Sequence, residues 1–154
     1  MTKSPLYLED IHVGMGWARP AFTVSAEEIV VFGKSYDPQP FHTDPVLAAA
    51  GPFGGLIASG WHLAALAMRQ IVEAQPFGSS PIVGLGVAEL RWFKPVRPGD
   101  QLHVKGEVTD IRPSQSKPDR GVVRSAITLL NHRNEIVMSF LTDTQLPTKA
   151  KDGT

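Results

Sequence analysis

LIASGWHLAALAMRQIVEA, Leu56 to Ala74, carries no formal charge before Arg69 and poses the folding problem for the whole chain. Alanine and leucine dominate it, and apolar side chains run almost around its circumference, so the pattern predicts a helix that must be buried on more than one side. The uncharged run that contains its start, Gly51 to Met68, is too short for a bilayer span, and Ser59, Gly60 and His62 make it too polar. The enclosing layer has to come from the same chain.

That layer follows directly. VGLGVAELRWFKPV, QLHVKGEVTDI, GVVRSAITLL and EIVMSFLTDTQL are separated by RPGD, RPSQSKPDR and NHRN. The runs read as strands, and the separators, rich in Pro, Gly, Asn and Asp, read as hairpin connections. An α+β fold is expected, with one long central helix, about Leu56 to Ala74, wrapped by an antiparallel meander. Upstream, Trp17 to Val24 reads as an edge strand. Ser25 with Glu28 makes a capping box for a helix carrying Ile29, Val30 and Phe32, which Gly33 weakens. Asp44 and Pro45 open a second short helix that stops at Gly51.

The 154 residues suit one domain, read as 1–147 followed by a frayed tail, 148–154. Fifteen basic side chains balance 15 acidic ones, which argues against nucleic acid or an anionic membrane surface as partner. The absence of cysteine excludes disulfides, thiolate zinc sites and a cysteine nucleophile. The first fifteen residues lack the apolar core of a secretory signal, and a cytoplasmic protein is expected.

YDPQPFHTDP, Tyr36 to Pro45, places three prolines among Asp37, Gln39, His42 and Asp44. Each proline fixes φ and removes a donor. A stiff loop of this kind suits a carboxylate and an imidazole that jointly hold a water and move its protons, with Asp37 and His42 the candidates. The same residues also read as an ordinary turn, Asp before Pro being a common turn starter. His42 and Asp44 form an incomplete metal set, since catalytic sites normally take three protein ligands. Asp44 has a ready role as a helix cap, and no metal is expected.

The run GPFGGLIASGW supplies glycines at 51, 54, 55 and 60 around the start of the long helix. Unpaired N–H groups there suit an oxyanion or enolate, while the plainer reading gives Gly51, Gly54 and Gly55 to caps and turns. Gly60 falls inside the predicted helix, where glycine costs about 1 kcal/mol, so it most needs a reason. His62 reads as a core histidine, Trp61, Trp92 and Phe93 as core or interface aromatics, and His12, His103 and His132 as surface. Arg91, Lys94 and Arg97 read as a solvated strand face or a phosphate contact.

Asp37-Pro38-Gln39-Pro40-Phe41-His42-Thr43-Asp44-Pro45, then Phe53 to Trp61, and the later Pro95-Val96-Arg97-Pro98-Gly99-Asp100 together resemble the MaoC-like dehydratases, the (R)-specific enoyl-CoA hydratases and their relatives. The resemblance implies a hot-dog fold, an antiparallel sheet curled around one long helix. It also implies a homodimer or larger homo-oligomer, and a place in acyl-CoA and fatty acid metabolism. It assigns the catalytic water to Asp37 and His42 and the thioester oxygen to the Gly60 N–H, with Ser59 and Gly55 beside it and Gln39 and Asp44 behind the acid–base pair. The expected reaction is reversible hydration of a trans-2-enoyl-CoA to a 3-hydroxyacyl-CoA. Coenzyme A is then part of the substrate, and no cofactor is expected. Gln39 departs from the asparagine common in the family. A single hot-dog unit points to short or medium acyl groups. Two rivals are a hot-dog acyl-CoA thioesterase, which commonly carries a carboxylate on or near the central helix, and a non-catalytic acyl-CoA-binding or dimerisation module. Leu56 to Val72 contains no Asp or Glu.

Overall fold

A computed structural model describes residues 3–150. After a 3-10 turn at Leu8–Asp10 come β1 (Gly16–Ala18), β2 (Phe22–Thr23), α1 (Ala26–Tyr36), α2 (Pro40–Thr43), α3 (Pro45–Ala50) and α4 (Gly60–Ala74). The long strands β3 (Val83–Trp92), β4 (Gln101–Pro113), β5 (Arg120–Asn131) and β6 (Ile136–Pro147) complete the chain. All strands belong to one antiparallel sheet ordered β1-β4-β5-β6-β3, with β2 also pairing β4. It wraps α4 in the hot-dog arrangement.

Strand alternation builds the core. Leu102 and Val104 of β4, Ile127 and Leu129 of β5, and Met138 and Phe140 of β6 turn inward, and Leu63, Ala67 and Ile71 of α4 pack against them. The helix is buried on one side only. Trp61, Ala65, Met68 and Val72, spaced three or four apart on a single helical face, are exposed.

Besides the burial of α4, which was expected on more than one side, three expectations need revision. The meander holds for β4, β5 and β6, but β3 pairs β6 rather than β4. The RPGD segment is therefore no hairpin. It crosses from one end of the sheet order toward the other past the start of α4, with Val96 buried, its carbonyl accepting the Ala58 N–H at 2.9 Å, and the Gly99 N–H donating to the Val24 carbonyl at 2.8 Å. Turn chemistry marks where a strand stops, and long-range pairing decides its neighbour. The expected Trp17–Val24 strand is two short pieces, because Pro20 has no N–H to give the ladder.

The third revision concerns α4, which begins at Gly60 rather than Leu56. Leu56, Ile57, Ala58 and Ser59 are buried and lie outside helix and strand, and their backbone bonds go outward, Ile57 N–H to the Phe41 carbonyl and Ala58 N–H to Val96. Gly60 is consequently the first helical residue, where the cost of glycine is small. The caps of α1 and α3 fall as expected, with Ser25 and Glu28 bonded reciprocally and Asp44 Oδ1 accepting the Val46 and Leu47 N–H groups. Gly33 does not stop α1. A Cβ there would lie 2.7 Å from the His42 carbonyl oxygen, so the glycine admits α2 against α1. Thr148 and Lys149, in the expected tail, hydrogen-bond the Asp119 carbonyl and the Glu9 carboxylate; 151–154 lie outside the described residues. No described helix is long and apolar enough to cross a membrane.

Leu129, with no exposed surface, belongs to this core. Leu129→Ala is expected to cost about 2–5 kcal/mol, read as a lower urea midpoint with an unchanged slope.

Candidate active site

Each proline of the Tyr36–Pro45 stretch starts or stops a helix. Pro38 follows Asp37, the residue that caps the C-terminus of α1 and is held in a non-helical conformation. Pro40 and Pro45 occupy the first positions of α2 and α3. Asp37 therefore leaves α1 and His42 rides on the short α2, and their side chains meet with His42 Nε2 3.2 Å from Asp37 Oδ2.

The pair is held on every side. His42 Nδ1 lies 2.7 Å from the Ile57 carbonyl oxygen, which can only accept, so the proton sits on Nδ1. Nε2 is thereby left facing the carboxylate. Asp37 Oδ2 accepts the Ser59 hydroxyl at 2.7 Å, and Oδ1 accepts the Gln39 side-chain N–H, also at 2.7 Å. Desolvation pushes the Asp37 carboxyl up, but the Gln39 and Ser59 bonds, and the positive charge of the His42 ring when it is protonated, outweigh it and hold the group below the usual carboxylate range. The carboxylate is thus the resting form near neutrality.

Ser59 also caps α4, its Oγ accepting the Trp61 N–H at 3.3 Å while the ring of Trp92 donates to the Gly60 carbonyl at 3.0 Å. The Gly60 N–H, at the positive end of α4, has no hydrogen-bond partner among the described residues. Asp37, His42 and Gly60 line one cleft of about 400 Å³, whose remaining wall includes Phe53, Ile57, Trp61, Trp92, Phe93 and Lys94.

Of the residues singled out in the sequence, Asp37, His42, Gln39, Ser59 and Gly60 come together. Asp44 is occupied in capping α3, and among the described residues no three metal-ligating side chains cluster. Gly55 does not line the cleft, and a Cβ on it would lie 3.3 Å from the Arg97 guanidinium. Arg97 itself donates to the Phe53 carbonyl, and Lys94 pairs with Glu135 at 3.0 Å. Trp92 and Phe93, read as core or interface, are exposed residues of the cleft wall. Nothing at Trp92 itself signalled that its indole reaches Gly60, since 32 residues separate them.

A family model for a MaoC like domain matches residues 13–129. The chain belongs to the MaoC-like family. The crystal structure of a MaoC-like dehydratase from Rhodospirillum rubrum superposes on this MaoC-like chain with a TM-score of 0.85 at 41% identity, covering 95% of this chain and 99% of that one. Among curated relatives, the chain is 29% identical to the uncharacterized protein YdeM of Bacillus subtilis, over 82% of its length and 88% of the relative's. It is 30% identical to a 3-hydroxybutyryl-CoA dehydratase of Methylorubrum extorquens, over 73% and 69% respectively.

Behind the site of this MaoC-like domain, His62 is buried as expected of a core histidine and stacks on Phe32 of α1, ring centres 4.6 Å apart. Its Nδ1 has no hydrogen-bond partner among the described residues. Burial pushes the imidazole below its ordinary value of 6.5, against a smaller opposing pull from Glu28. A lowered histidine means the unfolded chain binds the extra proton first, so its contribution is complete above about pH 6.5 and is lost as pH falls below that. Asp37 gives the same sign at lower pH: its contribution is complete above the ordinary carboxylate value of 3.8 and lost below it. Chemical unfolding between pH 7.5 and 5 should show stability declining with acidity in the wild type and a flatter profile for His62→Phe.

Proposed function

We propose that this protein is a hydro-lyase that reversibly adds water to a trans-2-enoyl-CoA, or a related unsaturated acyl thioester, giving a 3-hydroxyacyl-CoA. The observation that carries this reading is the meeting of Asp37 and His42 in one cleft with the unpartnered Gly60 N–H. The name of the Methylorubrum relative, a 3-hydroxybutyryl-CoA dehydratase, supports the substrate class.

When the His42 ring is neutral, with its single proton on Nδ1, both Asp37 Oδ2 and His42 Nε2 are acceptors. A water donating one hydrogen to each is held by its hydrogens and directs an oxygen lone pair outward. That oxygen adds to C3 of the enoyl thioester while one proton passes to the Asp37–His42 pair. The π electrons of the C2=C3 bond move toward the thioester carbonyl, whose oxygen gains negative charge opposite the Gly60 N–H and the positive end of α4. Return of a proton from the pair to C2 closes the cycle without a cofactor. Gln39 and Ser59, each bonded to a different oxygen of Asp37, fix the carboxylate before substrate arrives. The longer Gln39 reaches back from the start of α2, and this supports its being a working replacement for the family's asparagine.

The same reading includes a homodimer formed along β3. That strand is an edge ten residues long, with Val83, Leu85 and Val87 exposed, and α4 leaves Trp61, Met68 and Val72 uncovered. A long apolar edge beside an apolar helical face favours pairing with a second copy. Val87→Arg is expected to shift the protein toward monomer in sedimentation velocity.

Asp37→Asn and His42→Ala should each lower hydration of crotonyl-CoA by at least about 10²-fold with the folded spectrum retained. The assay follows enoyl absorbance and free thiol in parallel. Thiol release without loss of the enoyl group in the wild type would instead support a thioesterase, and wild-type turnover of neither kind would support a binding module.

A further inference from the structure

We infer that Trp92 is a positioning residue for the oxyanion donor, clamping the first turn of α4 so that the Gly60 N–H points into the cleft; this rests on the hydratase reading above. The clamp has two parts. The indole N–H of Trp92 donates to the Gly60 carbonyl at 3.0 Å, and the opposite end of the same peptide, the Trp61 N–H, is held by Ser59 Oγ. With both ends of the 60–61 peptide fixed, rotation of the neighbouring 59–60 peptide, which carries the Gly60 N–H, is restrained. The indole ring also fills the space beside the Gly60 Cα: a Cβ there would lie 2.4 Å from Trp92 Cε2. Gly60 is glycine because Trp92 needs that contact.

The backbone of β3 is deformed to deliver this ring. Val87 faces Thr142 and Trp92 faces Met138 across the ladder. Thr142 and Met138 are four apart on β6 and share a side of the sheet, whereas Val87 and Trp92 are five apart on β3. One extra residue between Ala88 and Arg91 makes up the difference, and Glu89 within it takes a φ of +53°, unusual for a side chain that is not glycine. Continued in regular register from Val87, β3 would set Arg91 opposite Met138 and turn Trp92 to the other face. The bulge exchanges a guanidinium for an indole at the start of α4. Trp61 then packs edge-to-face on Trp92, ring centres 5.4 Å apart, and completes the clamp.

The test is Trp92→Phe, which keeps an aromatic ring and removes the N–H. With crotonyl-CoA, kcat is expected to fall about tenfold, the scale of one hydrogen bond, with KM changed by less than about twofold and the thermal midpoint little altered. An unchanged kcat, or a loss that only tracks thermal stability, would overturn the inference. A second readout needs no turnover. In ¹⁵N-labelled protein, Trp92→Phe should shift the Gly60 and Trp61 backbone amide resonances, and the wild-type Trp92 indole proton should exchange with solvent more slowly than that of Trp61. Static Gly60 and Trp61 signals would overturn the clamp even in an active enzyme, whereas a wild type inert toward enoyl thioesters with those signals shifted would overturn only the hydratase reading.

Discussion

Four buried residues ahead of α4, Leu56 to Ser59, hold the rest of the site in place. Buried backbone outside helix and strand needs partners for its polar groups, and this segment finds several on both sides. Toward the proline-rich loop, Ile57 accepts from His42 Nδ1 and donates to the Phe41 carbonyl, while the Ser59 hydroxyl reaches Asp37. Toward the sheet, Ala58 donates to Val96 on the segment that crosses from β3 to β4. Loop, helix start and sheet are thereby fixed to one strip of backbone. The side chain of Asp37 cannot drift from the start of α4 without breaking the bond that also orients the α4 cap.

This economy explains the electrostatics of the pair. Asp37 is kept ionised by donors that also serve structure, and His42 is kept in one tautomer by a carbonyl that is part of the core. The donors were in place before any substrate, which is what a preorganised site requires. A cost is visible in the orphaned Nδ1 of His62, buried against α1 and leaving the α1–α4 contact sensitive to acid.

The sequence was most readable where a residue type has one local job. Asp44 before Pro45, Ser25 with Glu28, and the helix of alanine and leucine all announced themselves through caps and periodicity, and the resemblance of Asp37 to Asp44 brought the acid–base pair with it. It was least readable where the partner is remote. RPGD has the composition of a hairpin, yet β3 found its partner in β6, because a turn motif ends a strand without choosing a neighbour. Gln39, the least explained residue in the sequence, turned out to bind Asp37 two positions away, a contact made because both residues lie in the break between the end of α1 and the start of α2. Trp92 was hidden for the same reason, since its place over Gly60 depends on a single extra residue in β3.

By itself, then, the sequence determined the elements: a mostly apolar helix that needs a wrapper, strands able to provide one, and prolines that force Asp37 and His42 into a stiff loop. These follow from propensity, period and the fixed φ of proline, all of which act within a few residues. Only the tertiary structure decided that α4 starts at Gly60, that β3 closes the sheet beside β6, and that Ser59, Gln39 and Trp92 converge on the two catalytic candidates and the glycine. Those outcomes come from hydrogen bonds and packing between segments far apart in the chain, whose geometry exists only once the core around α4 has formed.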